Sequence, residues 1–254
     1  MDQVPITVMD PPQSASRGHS TAKLAVVIPT LHEAANIPLL LERVRASLDH
    51  LAIPYELIVV DDDSRDGTEG IVREISARDG RVRLLVRRGD TGLAGAITDG
   101  WRCSDAEVFG VIDADLQHPP EVLPQLWERI QAGADIAIAS RYAAPGSMRC
   151  WNPLRRLISE LGVLLAKPVQ RPPIRVKDPL SGFFLVRRRC VEGVQLQRRG
   201  FKLLLEILVR GRINSVAEVP FTFGVRQAGD SKASLGTGFH YFYLLGRMWR
   251  KRSH

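Results

Sequence analysis

Short apolar runs alternate with amphipathic segments through the first half of the chain, and this alternation limits the possible folds more than any other feature. The strands predicted from these runs span residues 24–29, 57–60, 82–86, 108–112 and 135–139, and apolar residues predominate in each. Between them, apolar residues recur at helical spacing, as in Ile37, Leu40, Leu41, Val44 and Leu48. Strands that alternate with helices form parallel sheets, so the sequence predicts an α/β fold with a mostly parallel, doubly wound (Rossmann-like) sheet flanked by helices.

The remaining elements follow from the same two periods. Helices are predicted over 37–48, 68–77, 93–103, 154–166 and 201–209, with another opened by Pro119 and Pro120. A strand is predicted near 183–186 and an extended segment over 215–223. Because no repeat or linker divides the chain, we expect one domain over 23–232. A disordered tail at 1–22 would precede it, and a basic, amphipathic tail at 233–254 would follow it and associate with a membrane.

Polar clusters follow three of the predicted strands, at residues 29–33, 61–63 and 113–117. In doubly wound sheets, ligands bind beyond the carboxyl ends of the strands, where neighbouring strand ends meet. Three polar strand ends in one sheet therefore predict a binding site for a polar ligand at that edge.

The third cluster lies in VFGVIDADLQHPPE, where an apolar run ends in two carboxylates one residue apart. If this segment continues as a strand, the side chains of Asp113 and Asp115 point the same way and can reach one cation. Gln117 keeps the alternation and offers a further oxygen. Such oxygen ligands suit Mg2+ or Mn2+, with water and diphosphate oxygens completing the shell. A solvated acidic turn is the alternative interpretation.

The charge distribution indicates a polyanionic partner. The net charge is +7, and the basic excess lies between residues 141 and 175 and from residue 225 to the end. Nucleic acid, anionic lipid and phosphorylated substrates all suit such clusters. The carboxylates expected at the binding edge argue against nucleic acid, because it would approach the same face.

Several classes of protein are disfavoured by missing patterns. Cys103, Cys150 and Cys190 form no CxxC pattern, which argues against a disulfide framework or zinc site and favours a reducing cytoplasm. No run of the sequence approaches the roughly 18 apolar residues that span a bilayer. The glycines around Gly92 and Gly95 are too sparse for a dinucleotide fingerprint, and the absence of a P-loop motif argues against a kinase or ATPase.

Eight segments, in order, resemble glycosyltransferase family 2, and within it the polyprenyl-phosphate (dolichol-phosphate) mannosyltransferases. They are VVIPTLHEAANI, LIVVDDDSRDGT, GLAGAITDG, VIDADLQHPPE, IASRY, RRLIS, DPLSGFF and VPFTFGVRQAGDSK, and they run from Val26 to Lys232. The resemblance implies the GT-A fold, which agrees with the predicted sheet. The chain departs from the family at Leu31 and His32, usually Tyr-Asn, and at Asp63, usually Asn, so contacts to the base or ribose can differ.

The resemblance also implies roles for individual residues. The donor nucleotide would be bound by Pro29, Leu31, Glu33, Asp61, Asp62, Asp113, Ala114, Arg226 and Lys232. The metal would be held by Asp113, Asp115 and Gln117. The catalytic residues, which meet the sugar or the phosphates, would be Asp115, Arg141, Arg155, Ser159 and Asp178. Guanidinium groups pair bidentately with phosphate, which fits the two arginines among them.

The implied reaction is inverting transfer of a hexose from a nucleotide diphosphate sugar to a polyprenyl or dolichyl phosphate, with Mg2+ or Mn2+ as cofactor. Mannose from GDP-mannose is favoured, and glucose from UDP-glucose is the alternative. A phosphate monoester has a second pKa of about 6, so it is already largely dianionic at neutral pH and needs no strong base. A sugar-hydroxyl acceptor would need one, and Asp178 is then the candidate. A catalytically silent interaction subunit is the remaining alternative.

A lipid acceptor implies contact with a membrane. We expect a peripheral protein at the inner, cytoplasmic face of a membrane, which binds anionic lipid or is served by a membrane partner subunit. The segment FHYFYLLGRMW at 239–249 combines aromatic residues with a following basic cluster, a composition suited to lipid headgroups. A packing helix with a solvated basic end is the alternative interpretation of this segment.

Overall fold

Eight strands form one sheet in the computed structural model, which describes residues 7–8, 22–89, 91–143, 153–170, 174–198 and 202–224. The strands are β1 (Thr7–Val8), β2 (Leu24–Thr30), β3 (Tyr55–Asp61), β4 (Val82–Val86), β5 (Val108–Val111), β6 (Ile136–Ser140), β7 (Phe184–Arg187) and β8 (Val216–Pro220). Their order is β1-β4-β3-β2-β5-β7-β6-β8. β1 and β7 run antiparallel to their neighbours, and the other pairs are parallel.

The helices connect the parallel strands, as the sequence pattern predicts. They are α1 (Ile37–Asp49), α2 (Thr68–Arg78), α3 (Leu93–Arg102), α4 (Leu123–Gln131), α5 (Pro153–Ala166), α6 (Arg188–Val191) and α7 (Leu203–Arg210). Short 3-10 turns at Pro120–Val122 and Lys167–Val169 precede α4 and follow α5. Prolines lie in the first turn of α1 and α4, where the backbone N–H that proline lacks would have no partner within the helix.

The sheet is buried on both faces, which explains why its central strands consist largely of apolar residues. In β2, Leu24, Val26 and Ile28 pack into a core with α1 and α4. Ala25 and Val27, on the opposite face, pack into a second core with α3 and α7. Each fully buried Leu or Ile side chain contributes about 1.5–3 kcal/mol relative to an exposed one. The predicted doubly wound α/β sheet is therefore confirmed.

The carboxyl ends of β2, β3, β4, β5, β6 and β8 meet at one edge of the sheet, which we name the carboxyl edge. Because β7 runs the opposite way, it begins at this edge. The turn before β7, residues 178–183, is thereby brought beside the loops that follow β5 and β6. The carboxyl edge is where the three polar clusters of the sequence come together.

Two details differ from the sequence prediction. β5 ends at Val111, and Asp113 and Asp115 lie in the turn that follows, so the argument that a strand aligns their side chains is wrong. The second detail concerns the predicted disordered tail, in which Thr7–Val8 pairs with Leu85 and Val86 as a short edge strand. The rest of that tail, residue 22 excepted, and all of the predicted basic tail lie outside the described residues.

Candidate active site

The turn after β5 presents two carboxylates at the carboxyl edge. Leu116 has a φ of +61°, a left-handed conformation that tightens the turn. Gln117 N donates to Asp115 Oδ1 at 3.1 Å, and Gln117 Nε2 donates to Gly224 O at 3.4 Å, so the turn is tied to the segment after β8. Asp115 and Gln117 are buried, whereas the Asp113 side chain is 35% exposed. Asp113 is thus the carboxylate more open to a ligand.

Behind this turn, His118 is buried beside Asp113. Its Nδ1 lies 3.4 Å from Asp113 Oδ2. Three phenylalanine rings surround the imidazole at centroid distances of 5.4–5.6 Å, those of Phe183, Phe221 and Phe223. Burial lowers the pKa of His118, although the carboxylates of Asp113 and Asp115 oppose this shift. Burial raises the pKa of Asp113, His118 counteracts this, and the repulsion from Asp115 adds to it.

The turn before β7 is in direct contact with Asp113. A β-carbon at Gly182 would lie 2.8 Å from Asp113 Oδ2, closer than atoms of this kind approach each other. Only glycine therefore leaves the carboxylate in this position. The reversed direction of β7 is what brings Gly182 here, because β7 begins at the carboxyl edge.

Arg141, the residue after β6, is locked to Asp178. Its Nε donates to Asp178 Oδ2 and its Nη2 to Asp178 Oδ1, both at 2.7 Å, and its backbone N donates to Oδ2 at 3.0 Å. Asp178 is fully buried and the Arg141 side chain is 12% exposed. Such a bidentate, charge-assisted pair fixes the guanidinium in one orientation. Asp178 is therefore placed to hold Arg141 at the edge.

The Asp178 turn is itself anchored to the sheet. Glu218 in β8 accepts hydrogen bonds from Lys177 N at 2.9 Å and Asp178 N at 3.1 Å. Ser181 Oγ donates to Ala139 O at 2.7 Å. Hydrogen bonds to β8 and β6 thus determine where the Asp178 turn lies, and with it the Arg141–Asp178 pair.

Lys202, at the start of α7, adds a positive charge near the same residues. Burial and the charge of Arg141 lower the pKa of Lys202 to about 8, and Asp178 and Asp113 oppose this shift. The carboxyl edge therefore combines the two carboxylates after β5 with two cationic side chains, those of Arg141 and Lys202. Such a combination can bind a metal ion and phosphate oxygens side by side.

At the end of β3, Asp61 organises the loop. Its carboxylate accepts hydrogen bonds from Thr30 Oγ1 at 2.9 Å, from Ser64 N at 3.0 Å and from Ser64 Oγ. Ser64 Oγ in turn accepts from His32 N at 2.9 Å, so the loops after β2 and β3 are joined. Asp61 is 1% exposed, and its contacts stabilise this joint.

Asp62 is held by two donors at the same strand end. Arg87 Nη1 donates to its Oδ1 at 2.6 Å, and Gly92 N donates to its Oδ2 at 2.8 Å. Burial raises the pKa of Asp62, although Gly92 and Arg87 oppose the shift. Each carboxylate oxygen has two lone pairs, so Asp62 can still accept a hydrogen bond from a ligand.

The loop after β2 completes this side of the edge. Pro29, Leu31 and Glu33 are all partly exposed. Glu33 Oε2 accepts a hydrogen bond from Asn36 Nδ2 at 2.8 Å, which orients its carboxylate. The structure thus brings these three residues to the same edge as Asp62.

The remaining predicted residues divide into two groups. Ala114 is buried in the turn between the two aspartates. Arg155 and Ser159 lie on α5, but their side chains are outside the described part of the structure, as are Arg226 and Lys232 altogether. The placement of these four side chains stays a prediction.

Residues 25–194 match the family model of glycosyl transferase family 2. The chain belongs to this family. Among its relatives, the dolichol-phosphate mannosyltransferase of Pyrococcus furiosus is 44% identical over 229 residues, which cover 90% of this chain and 64% of that protein. The Saccharomyces cerevisiae dolichol-phosphate mannosyltransferase is 36% identical, with coverages of 89% and 86%. The polyprenol monophosphomannose synthase of Mycolicibacterium smegmatis is 34% identical, with coverages of 84% and 82%.

Solved structures support the same fold. Glucosyl-3-phosphoglycerate synthase from Mycobacterium tuberculosis, in complex with Mn2+, UDP and phosphoglyceric acid, superposes with a TM-score of 0.66 at 21% identity, covering 89% of this chain and 78% of that one. The same enzyme with Mg2+ and UDP gives a TM-score of 0.60 at 19% identity, with coverages of 91% and 79%. At such identity the likeness concerns the fold, and the predicted GT-A fold is confirmed.

The donor atoms of the turn after β5 fit a hard divalent cation in this family 2 chain. Mg2+ is typically held by one or two carboxylates with phosphate and water oxygens, and Mn2+ also prefers oxygen ligands. Asp113, Asp115 and the amide oxygen of Gln117 are donors of that type. Within the described ranges, no group of three or more His, Cys, Asp or Glu could hold a metal by itself. A cation here would therefore depend on ligand oxygens as well.

Sequence reasoning missed His118, Gly182, Lys202 and Arg87 as parts of the site. His118 and Gly182 stand inside two of the motifs that carry the resemblance, which was the available signal. Lys202 directly precedes the apolar segment of α7, and Arg87 follows the apolar run of β4. Each of the last two has the pattern of an ordinary surface charge next to a buried element.

Among the helices of the described ranges, none combines the length and apolar character required to cross a bilayer.

Proposed function

We propose that this chain transfers a hexose to a polyprenyl or dolichyl phosphate with inversion at the anomeric carbon, and that mannose from GDP-mannose is the favoured donor. The observation that carries the proposal is the meeting, at one edge, of the Asp113 carboxylate with the turn that fixes Arg141 through Asp178. The names of the relatives in the family support this acceptor class.

The donor nucleotide would bind across the ends of β2 and β3. Asp62 would accept a hydrogen bond from the base, and the partly exposed Pro29, Leu31 and Glu33 would line the pocket. Asp61 would support this pocket from behind, since its oxygens bind Thr30 and Ser64. Arg226 and Lys232 would approach the nucleotide from the segment beyond the described residues.

Asp113, Asp115 and Gln117 would hold the Mg2+ or Mn2+ cofactor. When bound, such an ion neutralises charge on a departing diphosphate. The protein's part is to keep the donor atoms in place. The hydrogen bonds from Gln117 N to Asp115 and from Gln117 Nε2 to Gly224 O do this, as does the contact of Gly182 with Asp113.

The acceptor phosphate would be positioned by Arg141, together with Arg155 and Ser159 of α5. A dianionic phosphate needs orientation more than deprotonation, which arginine supplies. Asp178 accepts two hydrogen bonds from the Arg141 side chain, so it would orient the arginine and not remove a proton. This arrangement favours the phosphate over a sugar-hydroxyl acceptor.

The lipid part of the acceptor would lie along α5. Leu161, Leu164 and Leu165 are 52%, 58% and 39% exposed, unusual values for leucine side chains on one helix. A groove of about 500 Å³ runs beside Leu161 and Leu164, and it is also lined by Lys167, Lys177 and one acidic residue, Glu160. Apolar side chains flanked by lysines suit a surface of anionic lipid. We therefore propose peripheral binding at the inner face of a membrane, with or without a membrane partner subunit.

The proposal is tested by assaying purified protein with labelled GDP-mannose or UDP-glucose, synthetic polyprenyl phosphate and Mn2+. We expect a glycolipid product from one donor, and GDP-mannose is favoured. Asp113→Asn is expected to lower the rate about a hundredfold or more, or about 3 kcal/mol. Asp105→Asn, at a site whose side chain is 89% exposed, is the matched control and retains activity. Transfer to a soluble sugar in preference to the lipid would contradict the proposed acceptor.

A further inference from the structure

A ladder of buried ion pairs leads away from the carboxyl edge through α3. Arg87 Nη1 donates to Asp62 Oδ1 at 2.6 Å, and Arg87 Nε lies 3.0 Å from Asp99 Oδ2. Asp99, in α3, also binds Arg198, whose Nη1 and Nη2 donate to its Oδ1 and Oδ2 at 2.6 and 2.8 Å. The side chains of Asp62, Arg87 and Asp99 are 7%, 4% and 2% exposed, and that of Arg198 is 35% exposed.

We propose that Asp99 is a positioning residue for the donor nucleotide, acting through Arg87 on Asp62. The inference rests on the proposed function, in which Asp62 accepts a hydrogen bond from the base. Asp99 reaches Asp62 only through the Arg87 guanidinium, so it would contact no ligand. It would determine which way the Asp62 carboxylate faces.

The geometry around Arg87 explains why Asp99 is needed. With its side chain 4% exposed, the guanidinium has little water to replace a lost partner. Asp62 takes its Nη1 and Asp99 its Nε, so the two carboxylates together set the plane of the group. Without Asp99, the planar guanidinium can turn about its Cδ–Nε bond, and this would misalign the 2.6 Å hydrogen bond to Asp62.

α3 restricts Arg87 from a further side. A β-carbon at Gly95 would lie 2.6 Å from Arg87 Nη2, so the guanidinium packs directly on the helix backbone. Gly92, just before α3, accepts from Arg87 Nη1 at 3.2 Å and donates its N–H to Asp62 Oδ2 at 2.8 Å. The start of α3 thus holds Arg87 and Asp62 together, and Asp99 lies two turns further along the same helix.

The charges of the ladder favour an ionised Asp99. Burial raises the pKa of Asp99, but the hydrogen bonds from Arg198 and the charges of Arg87 and Arg102 outweigh it, and the pKa lies below its usual value. Removing one member of a buried ion pair leaves its partner without compensation. Replacing Asp99 by Asn would therefore remove the charge that orients the Arg87 guanidinium, while the side chain at position 99 would keep its shape.

A purely structural role is the competing explanation, and nucleotide binding separates the two. We would titrate wild type and Asp99→Asn with GDP and with UDP in the presence of Mn2+ by calorimetry, and titrate both with pyrophosphate and Mn2+. Pyrophosphate shares the diphosphate but has no base. We expect the favoured nucleotide to bind about tenfold more weakly to Asp99→Asn, and pyrophosphate affinity to change by less than about twofold.

Asp135→Asn is the matched control. Asp135 is equally buried and binds Arg189, but it lies at the opposite edge of the sheet from the proposed donor site. We expect it to lower the melting temperature without changing either affinity. Equal loss of nucleotide and pyrophosphate affinity in Asp99→Asn, or no loss of either, would overturn the proposal.

A second variant keeps the test decisive if Asp99→Asn fails to fold. Arg198→Met removes the outer, more exposed member of the ladder and leaves the Arg87–Asp99 contact in place. We expect a smaller, about threefold loss of nucleotide affinity with pyrophosphate unchanged. If wild type binds neither nucleotide, the proposed function fails. If wild type binds and Arg198→Met binds equally well while Asp99→Asn is unfolded, the positioning role is rejected and the donor site stands.

Discussion

Gly182 and Asp113 are in contact, although they belong to different loops of the sheet. Because Gly182 has no β-carbon, the Asp113 carboxylate can lie directly against its backbone. A β-carbon at this position would come within 2.8 Å of Oδ2. The contact requires that β7 begin where β5 ends, which its antiparallel direction provides. The position of a candidate metal ligand thus depends on a residue that carries no functional group.

Gly182→Ala is expected to displace the Asp113 carboxylate and lower transfer activity about tenfold or more, with little change in melting temperature, because a flexible side chain can move aside. Activity assays and thermal unfolding would measure the two effects. Gly70→Ala is the control, since a β-carbon at Gly70 in α2 meets nothing within 4 Å. It is expected to keep activity and gain up to about 1 kcal/mol of stability. Full activity in Gly182→Ala would contradict the role of this contact.

Asp178→Asn is expected to lower kcat about tenfold, because Arg141 loses charge-assisted hydrogen bonds that fix its orientation. The shape of the pH profile of kcat is expected to stay unchanged, and Arg141→Lys is expected to give a similar loss. Steady-state kinetics over a pH series would measure this. If the acidic limb of the profile disappeared in Asp178→Asn, the residue would be a general base, and a hydroxyl acceptor would become the better explanation.

Lys202 predicts an alkaline limit to activity. Its pKa is lowered to about 8 by burial and by Arg141, so the ammonium is charged below that pH and neutral above it. If this charge helps to bind phosphate, kcat/KM falls as the pH rises through about 8, and the fall disappears in Lys202→Arg, since arginine stays protonated. Lys23→Arg, at an exposed site near the opposite edge, keeps the wild-type profile. A wild-type profile that is flat between about pH 7 and about pH 9 would reject the prediction.

Asp79 predicts a pH dependence of stability far from the site. Hydrogen bonds from Arg81 lower its pKa to about 2 although burial opposes this, and Arg45 also donates to it. A lowered carboxyl pKa stabilises the fold above the unfolded value of about 3.9, and this stability is lost as the pH falls through the folded value. Asp79→Asn is expected to lower the free energy of unfolding by about 1 kcal/mol near neutrality, after allowance for solvent screening.

In urea unfolding, the difference in the free energy of unfolding between wild type and Asp79→Asn is expected to narrow as the pH falls below about 4. Asp105→Asn, at the exposed carboxylate that pairs with Arg188, is the comparison and is expected to leave stability unchanged. A gap that stays constant with pH would show that the effect comes from packing and not from charge.

The exposed leucines of α5 predict lipid binding. Changing Leu161 and Leu164 together to Ser is expected to reduce flotation with anionic liposomes about tenfold or more, because a fully buried leucine contributes about 1.5–3 kcal/mol and only about half of each side chain is left to bury. Leu39→Ser is the matched control, because Leu39 is also an exposed leucine, at 38%, but lies on α1. Equal flotation of the double variant and the control would contradict a lipid-facing α5.

Much of the sheet could be predicted because its strands are buried on both faces. The stretches 24–29 of β2, 57–60 of β3 and 84–86 of β4 are apolar without interruption, and the helices between these strands show clear periodicity. The direction of β7 could not be predicted, because strand direction depends on which neighbours the strand meets. The orientation of Asp113 and Asp115 was predicted on the assumption that both lie in a strand, but β5 ends at Val111, two residues before Asp113.

The candidate site was predictable where a motif concentrates polar residues, and not where distant residues share one contact. Asp62 stands in an acidic cluster at a strand end, so the sequence indicates it. Arg87 and Asp99 show no local pattern that links them, and only the fold, which brings α3 beside the residue after β4, shows that they form a pair. Lys202 is similar, since its pKa depends on burial that the sequence does not show.

Backbone strain is distributed unevenly in the described part of the chain. Of its five non-glycine residues with positive φ, four, His32, Asp63, Arg65 and Leu116, follow β2, β3 or β5 at the carboxyl edge. Such conformations each cost on the order of 1 kcal/mol and persist because the surroundings enforce them. Substitutions intended to raise heat resistance without loss of activity are therefore best made on the amino-terminal side of the sheet. Relaxing these four positions is expected to stabilise the fold but to disturb the loops of the candidate site.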